Sequence, residues 1–433
     1  MVRTQDIRGG YFDTSSAVRV DEEVYAERTK RVEPTSGDVL FSREGTYFGD
    51  AAEVPSGIRV CLGQRMVLIR PDPEKIRSSY LRMQINSAEF QSMLRQFRDG
   101  TVAERLNLPV IRSLQLKVPS LSEQDFIVKN ISSIERKIEL NRQINTTFEA
   151  MAQALFKSWF VDFDPVIDNA LAAGNEIPAE LAARAKRRAQ VAQSTASEQT
   201  HTLPAAIRQQ FPDRFVFTET MGWVPEGWEA VSLEDVVELI GGGTPKTTTE
   251  EYWGGDIPWF SVVDAPAKSD VFVLKTEKNI TELGLSNCST KLLPEGTTII
   301  SARGTVGKCA LVGKAMAMNQ SCYGIRGKSG IADYYVYYTI LLRVSDLQQR
   351  GHGSVFNTIT RDTFKSILTP RCPASLTAIF HTQIGDSFSR IRANNHQNDS
   401  LAHLRDTLLP KLLSGQLRIP DAQAAVDEAM AET

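Results

Sequence analysis

Two stretches of the chain carry a long helical rhythm of apolar residues, and each follows a region of short β-branched runs such as Asp38 to Phe41 and Met66 to Ile69. From Leu121 to Phe160 there is neither Gly nor Pro, and a 4-3-4-3 spacing picks out Ile127, Ile131, Ile134, Ile138, Asn141, Asn145, Phe148, Ala152 and Leu155. The same spacing returns at Phe380, Ile384, Ser387, Ile391, Asn394, Asn398, Leu401, Arg405 and Leu408, and ends at Pro410 and Gly415. Seams of this length predict two long helices in one heptad register. Ser120, Ser122 and Glu123, following Pro119, supply the cap of the first. Asparagine at successive seam positions, Asn141 and Asn145 in one helix and Asn394 and Asn398 in the other, predicts a register device. A slip would face an amide with hydrocarbon, at a cost of roughly 1–3 kcal/mol.

The two patterns belong to a duplication. Gly37, Ser42, Gly45 and Thr46 match Gly296, Ser301, Gly304 and Thr305 at a displacement of 259 residues. Gln64, Ile69 and Arg70 match Gln320, Ile325 and Arg326 at 256, and Gly100, Val102 and Ser113 match Gly353, Val355 and Ser366 at 253. That drift is what small loop insertions leave. The expected fold class is therefore α+β: two tandem pseudo-symmetric domains, each followed by a long helix, with the helices paired as an antiparallel coiled coil about a pseudo-two-fold axis.

Composition narrows the function classes. No apolar run approaches the ~18 residues of a membrane helix, and the first residues lack a signal-peptide pattern, so a cytoplasmic location is expected. The five cysteines are scattered without a C-x-x-C pair and read as reduced core residues. Net charge is −3, yet residues 57–120 hold 11 Lys/Arg against 5 Asp/Glu, and residues 260–375 hold 14 against 8. Pro165 to Gly222 is Ala-rich and reads as a linker with one exposed helix, its basic cluster of Arg184, Lys186, Arg187 and Arg188 either a solvated face or a phosphate contact. Leu155, Phe156, Trp159, Phe160 and Phe163 offer more apolar surface than a two-helix seam buries. They pack on a neighbouring domain of the chain or dock a partner.

Catalytic patterns fail on inspection. Gly304 to Lys308 reads G-T-V-G-K, but the first glycine of a phosphate loop is replaced by Ala302 and its Ser/Thr by Cys309. The five histidines form no H-E-x-x-H, and no [DN]-P-P-[YF] or F-x-G-x-G segment exists for methyl transfer. Glu135-Arg136-Lys137, the nearest approach to a nuclease carboxylate–lysine group, lies on the long helix, away from any expected cleft. A non-catalytic binding subunit is the reading that remains.

GWVPEGW at 222–228, GGGTP at 241–245, YW-GGDIPWF at 252–260, the glycine-turn segments at 37–49 and 296–307, NRQINTTFEAMAQALFKSWFVDF at 141–163 and LRDTLLPKLLSGQLRI at 404–419 together carry a resemblance over nearly the whole chain. The chain resembles the specificity subunit of type I restriction-modification systems. The resemblance implies a first target-recognition domain at 1–120, a long helix at 121–164, a linker at 165–221, a second target-recognition domain at 222–375, a second long helix with its C-terminal segment at 376–419, and a tail at 420–433. It also implies sequence-specific binding of double-stranded DNA at a gapped bipartite site, two methyltransferase modification subunits, and ATP-dependent restriction subunits. S-adenosylmethionine, ATP and Mg are expected on those partners and no cofactor or metal on this chain. Ile127 to Leu155 rises about 42 Å as a helix, against ~34 Å for a turn of DNA, so two domains carried on such a rod could reach two major-groove segments.

Polar groups near expected turns are the candidates for DNA contact: Arg65, Arg95, Arg98 and Thr101 in the first domain, and Lys246, Thr247, Tyr252, Lys308, Asn319, Gln320, Arg350 and Asn357 in the second. Trp253 and Trp259 read as core. One departure stands out, because nothing in the first copy answers to residues 222–258. Either the true start lies upstream or the first domain lacks those strands, and an assembly scaffold reading a half-site or no sequence is the alternative function.

Overall fold

In the computed structural model, residues 1–14, 17–45, 47–97, 105–194, 203–267, 269–350, 358–417 and 419–431 are described. The chain divides into two compact units, Met1–Glu139 with Gln397–Thr433, and Leu140–His396.

In the first unit a short hairpin, β1 (Ile7–Arg8) with β2 (Tyr11–Phe12), precedes α1 (Glu22–Thr29), which Asp21 caps through a bond from the Val24 amide. Then β3 (Val39–Ser42), β4 (Ala51–Glu53) and β5 (Met66–Ile69) form an antiparallel sheet in the order β4-β3-β5. Helices α2 (Ser78–Ile85) and α3 (Ala88–Gln96) pack on it, with Phe41, Leu81, Ile85, Phe90 and Leu94 in one core, and α4 (Leu108–Ser113) follows. α5 (Leu121–Phe160), 40 residues without a break, opens in this unit and continues into the next.

The second unit begins with α6 (Asp164–Ala173), α7 (Ala179–Ser194) and α8 (Ala205–Arg208), then the hairpin β6 (Phe215–Thr218) and β7 (Gly222–Pro225). After β8 (Glu229–Ser232), α9 (Leu233–Val236), β9 (Val237–Gly241) and β10 (Trp253–Phe260) come β11 (Phe272–Val273), β12 (Asn279–Ile280) and α10 (Glu282–Ser286). β13 (Thr298–Ser301), β14 (Cys309–Val312), β15 (Ala317–Met318) and β16 (Cys322–Gly327) complete a five-stranded sheet ordered β11-β14-β13-β16-β9 and a smaller one ordered β12-β10-β15. α11 (Asp333–Arg350), α12 (Arg361–Ser366) and β17 (Leu368–Arg371), which pairs with β8, lead into α13 (Ala374–Ser414). The 41-residue α13 ends in the first unit, where α14 (Ile419–Ala431) follows.

The duplication is visible bond by bond. β3 pairs with β4 and β5 in the registers that β13 uses for β14 and β16: Val39 faces Glu53 and Ile69, and Thr298 faces Leu311 and Ile325. The Gly37 and Gly296 amides donate to Val54 and Val312 carbonyls, with φ of 88° and 82° that only glycine adopts freely. Tyr80 on α2 donates its hydroxyl to the Lys117 carbonyl, and Tyr335 on α11 does the same to Pro370. Even the beginning of the chain finds its place. Val2 bridges Leu62 in parallel, as Phe260 bridges Met318, and Asp6 caps its 3-10 turn through the Arg3 amide as Asp264 does through Ser261.

The long helices pair within each unit. In the first, Ile127, Ile131, Ile134 and Ile138 bury against Leu401, Leu408, Leu412 and Leu413, with Ala422 and Val426 of α14 closing the cluster. In the second, Asn145 meets Asn394 while Phe156, eleven residues on, meets Phe380, fourteen residues back. The pairing is therefore antiparallel.

Residues 165–221, read from sequence as a linker, carry more structure than that. Val166, Ile167, Ala170, Ala185 and Phe211 are buried. Arg184 binds Asp164 and Asp162, and Arg188 binds Asp168, so these two members of the basic cluster pin α7 to α6 and its N-terminal approach. Burial alone would raise the Asp164 carboxyl, but Arg184 and Ser158 outweigh it and hold it below the usual carboxylate range. The aromatic run has an equally plain destination. Phe156, Trp159 and Phe160, weighed above as partner-binding residues, are at most 5% exposed among Tyr335, Tyr338, Phe380, Phe211 and Trp228, and Leu155 packs on the same cluster. Of the two readings, packing within the chain describes them.

Candidate nucleic-acid interface

The glycine turn between β3 and β4, and its counterpart between β13 and β14, is built from backbone conformation before any side chain matters. Gly45 and Gly304 have φ of 94° and 73°, and Gly49 and Gly307 have 90° and 91°. A Cβ on Gly49 would strike Gln91 and one on Gly307 would strike Gln348. Those glutamines close the turns: Gln91 donates to the Gly49 carbonyl at 2.8 Å and Gln348 to Val306 at 2.9 Å. In the second copy Ser301 Oγ accepts from the Lys308 amide and donates to the Thr305 carbonyl, whereas the matched Ser42 Oγ is buried with no partner among the described residues. A glycine turn thus explains G-T-V-G-K without a phosphate.

Beside the second turn lies a loop cluster with a rigid base and a polar rim. Gly242 approaches the backbone so closely that a Cβ would sit 1.9 Å from the Asn319 carbonyl oxygen, and Gly243 has Ser289 and Thr290 as near neighbours. The Gly243 amide donates to Met318, and its carbonyl accepts from Trp259 Nε1 at 3.0 Å. Trp259 is buried and meets Trp253 edge to face at 5.2 Å, the structural part expected of both rings. On this base Thr244 donates its hydroxyl to Gln320, and Lys246, Thr247 and Gln320 are exposed. Asn319, half-buried, spends its side-chain oxygen on the Ser321 amide.

The remaining candidates separate. Lys308 is exposed on the glycine turn. Tyr252 is half-buried, and its backbone carbonyl accepts from Thr281 while crowding Gly284, a structural role. Arg350 donates to the Ser366 carbonyl. In the first domain Arg65, next to the residue matching Gln320, is exposed and pairs with Glu44 at 3.4 Å beside Gly45. Arg95 is exposed on the last turn of α3. Arg98, Thr101 and Asn357 lie outside the described residues.

At the helix seam the asparagines form a network rather than isolated pairs. Asn394 donates to Asn145 at 2.8 Å, Asn145 donates to Asn395 at 2.8 Å, and Asn395 donates to the Asp270 carbonyl at 2.7 Å. Asn141, Asn145 and Asn394 are buried and Asn398 half-buried. Asn395 was missed from sequence because it lies one residue off the 4-3 seam. Its neighbour in sequence was the only available signal.

Chemistry is sparse around these features. Among the described residues no group of His, Cys, Asp and Glu is arranged to hold a metal ion, and no helix is long and apolar enough to cross a membrane. The five cysteines are free thiols, and burial pushes Cys309, Cys322 and Cys372 up to about 12. His381 stacks on Tyr334 with centroids 4.0 Å apart, and burial lowers its pKa.

Comparison with known proteins gives a consistent answer. The family described as "Type I restriction modification DNA specificity domain" matches residues 9–150 and again 225–370. The HindI type I restriction enzyme specificity subunit of Haemophilus influenzae is 29% identical over 409 residues, spanning 88% of this chain and 86% of that protein. The MjaIX specificity subunit of Methanocaldococcus jannaschii is 32% identical over 157 residues, 36% of each. Among solved structures, the type I restriction-modification S subunit from M. genitalium superposes with a TM-score of 0.51 at 14% identity, covering 95% of this chain and 91% of that one. The chain belongs to the type I restriction-modification DNA specificity family and carries its domain twice.

Proposed function

We propose that the chain reads DNA for a type I restriction-modification assembly, each domain taking one half of a gapped duplex site. The paired long helices would set the gap, and two modification subunits with S-adenosylmethionine and restriction subunits with ATP and Mg would supply the chemistry. The observation that carries this reading is the polar rim of the second domain, where Lys246, Thr247 and Gln320 stand exposed on a base that Gly242, Gly243 and Trp259 make rigid. Gln is suited to a base edge and Lys to a phosphate.

A selection from random duplexes in the presence of modification subunits tests it. A two-part motif of fixed spacing is expected. Gln320→Ala should relax one position of one half by about 1–3 kcal/mol, and Lys246→Ala should weaken all sequences evenly with a shallower salt dependence. An unchanged motif for Gln320→Ala would remove this residue from the reading surface, and no enriched sequence at all would remove the function.

A second reading has its own observation. Among the described residues the first sheet has three strands where the second has five, which favours the chain as an assembly scaffold with one defective recognition domain, reading only a half-site or no sequence. A motif with a single half is the outcome that reading expects.

A further inference from the structure

The asparagine network at the helix seam ends outside the seam. Asn395 is buried with both halves of its amide spent, since Oδ1 accepts from Asn145 Nδ2 at 2.8 Å and Nδ2 donates to the Asp270 carbonyl at 2.7 Å. Asp270 lies 125 residues away in sequence, just ahead of β11, so this bond joins the helix pair to the sheet of the second recognition domain. α13 covers the strand as well, because Phe388 meets Phe272 edge to face at 5.7 Å.

The turn that receives the bond is under constraint. Val271, 1% exposed, has a φ of 58°, a left-handed value that strains a β-branched residue. The Phe272 amide folds back on the Asp270 carbonyl to close a three-residue turn, and the Leu311 amide holds the Val271 carbonyl at 2.9 Å. The carbonyl that Asn395 holds is thus the one on which the turn closes. Strained backbone persists only where its surroundings over-determine it, and Asn395 is a polar part of those surroundings that the helices supply.

On its other side the turn leads back to the polar rim. Asp264 accepts from the Ser261 and Glu277 amides, and the Phe260 carbonyl accepts from the Asn319 amide, next to the exposed Gln320. Arg142, an exposed cation, stands on α5 at the position matching Asn395, so the asparagine clamp is a feature of the second domain.

We infer that Asn395 is a positioning residue for DNA reading. It passes the register set by the Asn145–Asn394 pair to the Asp270–Phe272 turn, and so fixes the spacing at which the second domain presents its half of the site. Loss of its bond leaves the rim intact while the domain gains freedom against the helices. The bases read then stay the same, and the gap between the halves loosens. This consequence rests on the DNA reading proposed above, whereas the clamp itself does not.

Asn395→Asp tests both in the full chain, because the side chain keeps its shape and its acceptor for Asn145 and loses the donor to Asp270. In the free chain, amide exchange at Phe272 and Leu311 should quicken at least about tenfold. Exchange unchanged at both would overturn the clamp. With modification subunits present, selection from random duplexes should return the same bases as the unaltered chain, with the preference for one gap length over its neighbours lowered at least about tenfold. Faster exchange with gap preference intact would make Asn395 a structural residue only and overturn the positioning role, while the DNA reading stands. Altered bases in either half would overturn it too, since the rim would then depend on the clamp. No enriched sequence for the unaltered chain would instead remove the reading, and the positioning role with it. Asn395→Ser, smaller and uncharged, carries the same two measurements if the aspartate variant fails to fold.

Discussion

The two recognition domains share strand registers, glycine turns and a tyrosine-to-backbone bond, yet they anchor themselves to their long helices by opposite physics. In the first, Arg82 on α2 is buried between Glu53 at 3.1 Å and Glu135 of α5 at 2.8 Å. In the second, the corresponding positions on α11 and α13 hold Tyr337 and Phe388, edge to face with centroids 6.5 Å apart. One repeat uses a desolvated cation that must be satisfied, the other an aromatic contact that needs no partner charge. A duplicated backbone evidently constrains where an anchor sits more tightly than what it is made of.

The largest effect expected follows from that contrast. Arg82→Met should cost the first unit about 3–5 kcal/mol, because Glu135, 11% exposed at its side chain, is left charged and unpaired. The double variant Arg82→Tyr with Glu135→Phe, which copies the second domain, should recover most of it. Urea unfolding followed by amide exchange in α2 measures both. Equal losses in the single and double variants would show that the anchors are not interchangeable.

A smaller effect separates the covered sheet from the open one. Ile325→Ala, at a residue with no exposed surface beneath β9, should cost about 2–5 kcal/mol. Ile69→Ala, the same change at the matched half-exposed position, should cost about 1 kcal/mol. Similar losses would mean that β5 is covered in solution.

Much of this was legible before any coordinates. Seam positions repeat because each answers to the same condition, burial against a partner helix, so the antiparallel pair and its asparagines could be read from spacing. The shared strands and turns were legible as displacements. What escaped depends on partners far apart in sequence. Arg184 and Arg188 look like a surface charge run until Asp164 and Asp168 arrive from another helix. Phe156, Trp159 and Phe160 look like a docking patch until Tyr335 and Phe380 close over them. Phe388, one residue off the predicted seam at Ser387, belongs to an aromatic core that no heptad describes. Base-reading residues were least legible, because exposure and polarity mark loops without saying which groove they face.

The smallest contrast is titratable. At the start of β3 the first domain has Asp38, 2% exposed, accepting bonds from both Thr35 donors and from Arg70 at 2.6 and 2.7 Å. Burial opposes its ionisation, but Arg70 and Thr35 prevail and hold the carboxyl below its usual range. The second domain has Thr297 at the matched position, its hydroxyl donating to Pro294 at 2.7 Å, and Arg326, which matches Arg70, pairs instead with the half-buried Asp333 at 2.8 Å. A folded-state pKa below the unfolded value of about 3.9 means that the unfolded chain takes up the proton more readily. The stabilisation is therefore complete above about pH 5 and lost as pH falls through the folded value. Melting the chain across that range should show the first unit losing stability more steeply than it does in Asp38→Asn, while the second unit follows the same curve in both. A steepness that Asp38→Asn leaves untouched would assign the acid response to other carboxylates and remove this difference between the repeats.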